Sequence, residues 1–179
     1  MTRALLARKA THTLLALVAA YTGLYHTLEH VLLLCLCLGI AFVAGYGVRA
    51  LDPIRRAEAK SIGELFFVIG IACAALLSLP TAPLAFVGGV LVLGLADTSA
   101  SIIGRLYGGR AYNIFGEKRT YGGSLTVLIV STLILAGLGV HPVAAVLAGW
   151  LLAAVEAVAP RGSDNVVLPV VTVLILLFV

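Results

Sequence analysis

The sequence predicts an all-α fold: a polytopic transmembrane bundle of about seven helices, built as a single domain over residues 1–179. Three observations predict it. First, 61% of the residues are apolar and only 11% are charged, with a mean hydropathy of +1.13. A soluble domain carries about 25% charged residues, so there is too little polar surface here to cover a globule in water. Second, the apolar residues fall into seven runs, at 10–24, 31–48, 62–79, 82–103, 122–140, 142–159 and 166–179. A helical span needs about 20 apolar residues, with a tolerated range of about 17–25. Third, the charges alternate with those runs. A soluble enzyme, a disordered chain and a disulfide scaffold are excluded by the same composition.

The first run is short and follows Arg3, Arg8 and Lys9. That pattern resembles a signal peptide, but six further runs make a retained helix the expected reading. The middle five runs fit a spanning helix. The last, at 1.5 Å per residue, reaches about 21 Å and would begin earlier or cross only partly. The cations sort by loop. Arg49, Arg55, Arg56 and Lys60 follow the second run, Arg105, Arg110, Lys118 and Arg119 follow the fourth, and Arg161 follows the sixth. With seven spans, every one of these regions lies on one face. The positive-inside rule then places that face and the amino terminus in the cytoplasm. The opposite connections are short, at His26–His30, Leu79–Pro83 and Val140–Pro142. Cys35, Cys37 and Cys73 lie inside apolar runs without zinc spacing and read as small buried hydrophobes.

Charged residues at membrane depth are expensive and mark candidate function. Asp97 falls in the last third of the fourth run. At helical spacing it shares a face with Ser101, Gly104, Arg105 and Gly108. Gly104 and Gly108 equally fit a helix-packing motif. Asp97 is therefore the first candidate, as a magnesium ligand, or as one half of an ion pair with Arg105 or another helix.

The segment from Phe115 to Ser124 leads into the fifth run. Lys118, Arg119, Thr120, Gly122, Gly123 and Ser124 stand at a helix amino terminus. There the first amides lack partners and the dipole is positive, which suits a phosphate. An ordinary basic loop capped by Ser124 is the alternative. Glu156 lies one turn before the end of its helix, against the negative end of the dipole, so it needs a cation, a metal or a proton nearby. Beyond it, Ser163 or Asp164 suits the cap of the last helix. His12 lies one turn inside the first run, on the side of Arg8 and Lys9. Ser61 with Glu64 fits a capping box, and the cations from Arg55 to Lys60 suit anionic lipid heads. His26, Glu29 and His30 lie on the cation-free side and read as structural.

These pieces together resemble the membrane kinases of polyprenols: dolichol kinase, phytol kinase and the CTP-dependent diacylglycerol kinase. The resemblance is carried by Gly94-Leu95-Ala96-Asp97 through Gly104-Arg105, by Lys118-Arg119-Thr120-Tyr121-Gly122-Gly123-Ser124, and by Glu156 with Asp164-Asn165 and Pro169. Arg8-Lys9 with His12, and the stretch from Arg56 to Glu64, are similar to further parts of that core. Where the kinase element often has Glu, this chain has Gly122. The middle motifs are shared with phosphatidate cytidylyltransferases. The tail from Glu156 to Pro169 looks like the kinases, and the cytidylyltransferase terminal signature is missing.

The resemblance implies transfer of a nucleotide's terminal phosphate, usually from CTP, to an isoprenoid alcohol or diacylglycerol, with magnesium. Asp97 and Asp164 are then the expected metal ligands. Arg8, Lys9, Lys118, Arg119, Thr120, Gly122, Gly123, Ser124 and Asn165 are expected around the nucleotide. Arg105 would neutralise developing charge. Glu156, or His12, would orient the alcohol or accept its proton. A cytidylyltransferase making a CDP-lipid is the alternative, and a membrane transporter ranks third. The expected partners are CTP, a lipid alcohol and the bilayer, with no nucleic acid. Glycine-rich faces would suit a homodimer.

Overall fold

The computed structural model describes residues 3–45, 63–115, 117–160 and 162–179. Seven helices form among them, one for each apolar run. They are α1 (Arg3–Tyr25), α2 (Leu28–Gly45), α3 (Gly63–Ser78), α4 (Pro83–Tyr107), α5 (Tyr121–Gly137), α6 (Pro142–Val158) and α7 (Asp164–Phe178). By length and composition, α4 is the one described helix long and apolar enough to cross a bilayer. Five of the others are shorter apolar helices.

Two helix starts reach back into charged residues, for one reason. Helix α1 begins well before its apolar run, and α7 begins at Asp164. Charged residues join a helix end readily when the fold supplies partners for their charge. As a result Arg8, Lys9, His12 and Asp164 stand on helices.

The all-α expectation needs one correction. Between α4 and α5 the chain forms an antiparallel hairpin of β1 (Ala111–Ile114) and β2 (Glu117–Thr120). Its register pairs Ala111 with Thr120, Tyr112 with Arg119, Asn113 with Lys118 and Ile114 with Glu117. Two φ values turn the chain: Gly109 at 64°, and Phe115 at 51°, a left-handed conformation that few side chains adopt. The strand Glu117-Lys118-Arg119-Thr120 has almost no apolar alternation, so its sequence reads as a charged loop.

Helix α4 is central and packs against α1, α3, α5 and α7. Helix α2 covers α1 and α3, and α6 covers α5 and α7. Phe67, Ile71, Phe86, Val90, Leu93 and Val173 form one core cluster, and Val92, Leu135, Leu152 and Leu168 another. Small residues set the closest crossings. A Cβ at Gly89 would stand 2.8 Å from the Pro169 carbonyl oxygen. A Cβ at Gly70 would collide with the carbonyl oxygen of Asn165. That carbonyl is the acceptor Pro169 cannot serve, because proline has no N–H. The outward faces are apolar. Leu33, Leu36 and Ile40 on α2, Leu125, Ile129 and Leu133 on α5, and Leu147, Trp150 and Leu151 on α6 are all exposed.

Because the helices alternate in direction, one end of the bundle gathers the starts of α1, α3, α5 and α7 with the ends of α4 and α6. The hairpin lies at that end. The other end holds the connections at residues 26–27, 79–82 and 138–141.

Candidate functional site

Helix α4 does not run uniformly to Asp97. Residues Val92–Ala96 form a π turn, an expansion often found at functional positions. Helix α1 docks on it. A Cβ at Gly94 would collide with that of Ala16. Thr13 Oγ1 donates to the Gly94 carbonyl at 3.0 Å and lies 3.2 Å from Thr98 Oγ1. Lys9 is four residues before Thr13, on the same helix face. The docking therefore sets Lys9 against Asp97, and Lys9 Nζ donates to Asp97 Oδ2 at 2.7 Å. The two residues are 7% and 9% exposed, so this is a buried ion pair. The partner of Asp97 is thus on another helix.

The end of α4 meets the start of α5 at very short range. Cβ atoms at Gly104 and Gly108 would lie 2.8 and 2.5 Å from Thr120 Oγ1. Thr120 caps α5, accepting from the Gly123 amide at 3.1 Å. The Gly122 amide donates to the Gly108 carbonyl at 3.0 Å, and the Tyr121 amide to the Arg110 carbonyl at 3.2 Å. The first three amides of α5 are therefore engaged by the protein itself, and anion binding at this helix start falls to side chains. The cap is Thr120, whereas Ser124 Oγ hydrogen-bonds Tyr112 OH at 2.5 Å.

Arg119 leaves β2 toward α6 and α7. Its Nη1 donates to Glu156 Oε1 at 2.5 Å. Its Nη2 donates to the Ala159 carbonyl at 3.2 Å and to Asp164 Oδ2 at 3.3 Å. Burial alone would lower the Arg119 pKa, but Glu156, Asp164 and Asp97 outweigh it and hold the guanidinium above its ordinary value. Glu156 thereby has the cation its position demands. It is 5% exposed, and its Oε2 has no hydrogen-bond partner among the described residues. Asn165 ties α7 to α3, donating from Nδ2 to the Gly63 carbonyl at 3.1 Å. His12 stacks on Phe67 with ring centroids 4.7 Å apart.

These groups line one cavity of about 480 Å³. Arg8, Lys9, His12, Asp97, Arg105, Lys118, Arg119, Thr120, Gly123, Ser124, Glu156, Asp164 and Asn165 all reach it. Of the residues singled out from sequence, Gly122 does not. A Cβ there would lie 2.8 Å from Gly108 Cα, so Gly122 packs the hairpin base against α4. Glu117 also lines the cavity and was missed. Its only signal was its place beside Lys118. Glu64 pairs with Arg8 Nη1 at 3.9 Å. Arg55, Arg56, Lys60, Ser61, Gly116 and Arg161 lie outside the described residues. His26, Glu29 and His30 are exposed at the far end, where Thr27 Oγ1 lies 2.8 Å from His30 Nδ1.

The arrangement can hold an anion and a cation together. Five cationic side chains (Arg8, Lys9, Arg105, Lys118, Arg119) and four carboxylates (Asp97, Glu117, Glu156, Asp164) face the same space. Asp97 and Asp164 are hard oxygen donors of the kind magnesium takes. No group of three or more His, Cys, Asp or Glu at metal-binding spacing occurs among the described residues.

No protein-family model matches the chain, and no solved structure matches it. A phytol kinase from Synechocystis sp. is 29% identical over 147 residues. The match takes in 76% of this chain and 62% of that relative, so the chain spans less than two thirds of the relative's length. The likeness supports the polyprenol and phytol kinase family, to which the sequence motifs point.

Proposed function

We propose that the chain is an integral-membrane kinase that transfers the terminal phosphate of CTP to the hydroxyl of a membrane isoprenoid alcohol or diacylglycerol. One observation carries the reading. Five cations and four carboxylates share a single cavity at one end of an apolar bundle. A site for an anion alone has no use for four carboxylates, and a site for a cation alone has no use for five cations. A metal-bound triphosphate needs both. The similar phytol kinase supports an isoprenoid acceptor.

The exposed Leu, Ile, Val and Trp of the outward faces suit a lipid environment. The cation-rich end then faces the cytoplasm. Lys118 is exposed and has no ion pair among the described residues, so it is available to the phosphates, with Arg8 and Arg105 on the same cavity wall. Magnesium, when held by Asp97 and Asp164, would offset phosphate charge and align the donor. Glu156 Oε2 accepts the alcohol proton. The alcohol oxygen bonds the terminal phosphorus as the bond from that phosphorus to the bridging oxygen breaks. The products are a lipid phosphate, a nucleoside diphosphate and a proton on Glu156, which returns to solvent. Positioning and charge supply most of the catalysis in such a transfer.

The test is a label-transfer screen with purified protein and CTP labelled on its terminal phosphate. Geranylgeraniol, phytol, dolichol and diacylglycerol are offered as kinase acceptors, and phosphatidate is offered separately as the lipid phosphate that a cytidylyltransferase requires. A kinase labels the lipid, whereas a cytidylyltransferase releases labelled pyrophosphate. Unlabelled lipid across all four acceptors would refute the reading.

A further inference from the structure

We infer that Arg119 is a positioning residue that acts through Glu156 and does not bind the donor's phosphates. The inference rests on the kinase reading and deepens it. Lys118 and Arg119 are neighbours in sequence and look interchangeable as phosphate ligands. Both line the cavity, but successive side chains of a strand leave it on different sides, so the two have different neighbours in that space. Lys118 is exposed, while Arg119 is drawn toward α6 and α7.

The guanidinium is already engaged on three sides. It donates to a carboxylate on α6, to the Ala159 carbonyl at the end of α6, and to a carboxylate at the start of α7. Its Nε is buried and has no acceptor among the described residues. Turning to a phosphate would strand Glu156, a buried carboxylate, without a counter-charge.

What the clamp does is asymmetric. Arg119 holds Oε1 of Glu156 and leaves Oε2 without a hydrogen-bond partner among the described residues, in a side chain that lines the cavity. Holding one oxygen fixes the carboxylate plane, and the plane fixes where the other oxygen points. The same guanidinium joins the end of α6 to the start of α7, so the carboxylate cannot drift with α6 alone. Arg119 thus orients the group that takes the alcohol's proton.

The experiment uses the full chain in lipid nanodiscs. It compares Arg119→Met, Arg119→Lys, Lys118→Met, Glu156→Gln and the double variant Arg119→Met with Glu156→Gln. Affinity for a non-hydrolysable CTP analogue is measured beside kcat and KM. Arg119→Met should lower kcat about 100-fold and leave nucleotide affinity within about threefold, the signature of an interaction used after binding. Lys118→Met should show the opposite split, with KM and Kd raised about tenfold. Arg119→Lys should recover part of kcat. In the Glu156→Gln background, Arg119→Met should remove nothing further from kcat.

Two results would overturn the inference: a loss of nucleotide affinity in Arg119→Met matching that of Lys118→Met, or kcat losses that multiply in the double variant. If Arg119→Met alone fails to fold, Arg119→Lys decides, because it keeps a cation beside both Glu156 and Asp164: kcat should fall with nucleotide affinity kept, and an affinity loss matching that of Lys118→Met overturns the inference. Failure of the kinase reading looks different. The unmodified chain would then label no lipid, while the affinity comparison would still report whether Arg119 touches the nucleotide.

Discussion

The two ends of the bundle differ in how far along the chain their charged side chains reach. At the far end, Thr22 Oγ1 donates to the Val18 carbonyl at 2.8 Å and Ser78 Oγ to the Ala74 carbonyl at 2.6 Å. Thr81 Oγ1 donates to the Ser78 carbonyl at 3.3 Å. Each of these partners is three or four residues away. At the site end, Lys9 reaches Asp97 across 88 residues, Arg119 reaches Glu156 across 37 and Asp164 across 45, and Asn165 reaches Gly63 across 102. Local bonds of the first kind can form in a helix standing alone. Those of the second kind exist only once the bundle has assembled, and each buries a group that is costly unless satisfied. The far end is held by apolar surface and small residues. The site end uses the finished fold to keep charges at fixed positions, which is what charge-stabilised chemistry requires.

The sharpest way to break this comparison is to remove one carboxylate from each end. Asp97→Asn leaves Lys9 buried without its counter-charge. We expect lipid phosphorylation to fall at least about 100-fold and stability to drop by about 3–5 kcal/mol. Glu29→Gln, exposed at the far end, should change stability by less than about 0.5 kcal/mol and leave phosphorylation intact. Label transfer and thermal unfolding in detergent read both. Similar losses from the two variants would erase the distinction.

A second test uses glycine. Gly122→Ala places a methyl 2.8 Å from Gly108 Cα, backbone against backbone, with nothing flexible to give way. Overpacking of this kind costs about 1–3 kcal/mol. The hairpin base should shift, carrying Lys118 with it, so KM for the nucleotide should rise more than kcat falls. Steady-state kinetics with CTP would show the split. An unchanged KM would mean that the hairpin moves independently of its base.

The same division explains what could be read from the chain. The seven helices were legible because each apolar run reports its own burial, and the grouping of cations at one end followed from their alternation with those runs. Asp97, Glu156 and Asp164 stood out because a charge at membrane depth is conspicuous by itself. Pairing was not legible. Nothing near Asp97 in sequence indicates Lys9, since that contact depends on a π turn docking against Thr13. Nor does the sequence distinguish Arg119 from Lys118, because the distinction arises from a strand that its own residues hardly announce. Gly122 and Gly123 suggested a backbone cradle for phosphate. The amides are instead engaged by Gly108 and Thr120, in a close crossing that appears only when α4 and α5 meet.

A smaller effect compares two threonines. Thr13→Val removes the bond to the Gly94 carbonyl at the π turn, which should cost about 1 kcal/mol and lower activity several-fold by loosening Lys9 against Asp97. Thr22→Val removes only a bond back to the carbonyl one turn earlier. Its stability change should stay within about 0.5 kcal/mol, with full activity. Equal activity losses would mean that the π turn does not set the position of Asp97.

The smallest expected effect is a gain. Gly39 lies in the interior of α2, and a Cβ built there meets no heavy atom within 4 Å. Glycine inside a helix costs about 0.5–1 kcal/mol relative to alanine, chiefly through the backbone freedom it loses on folding. With open space around it, Gly39→Ala should return about that amount as a higher unfolding temperature, and phosphorylation should not change. The result sharpens the comparison because α2 carries none of the cavity side chains among the described residues. If Gly39→Ala instead destabilises the protein, the methyl must be meeting something outside this chain. The open face of α2 would then be a contact between two copies, and cross-linking in the membrane would find the dimer through that helix.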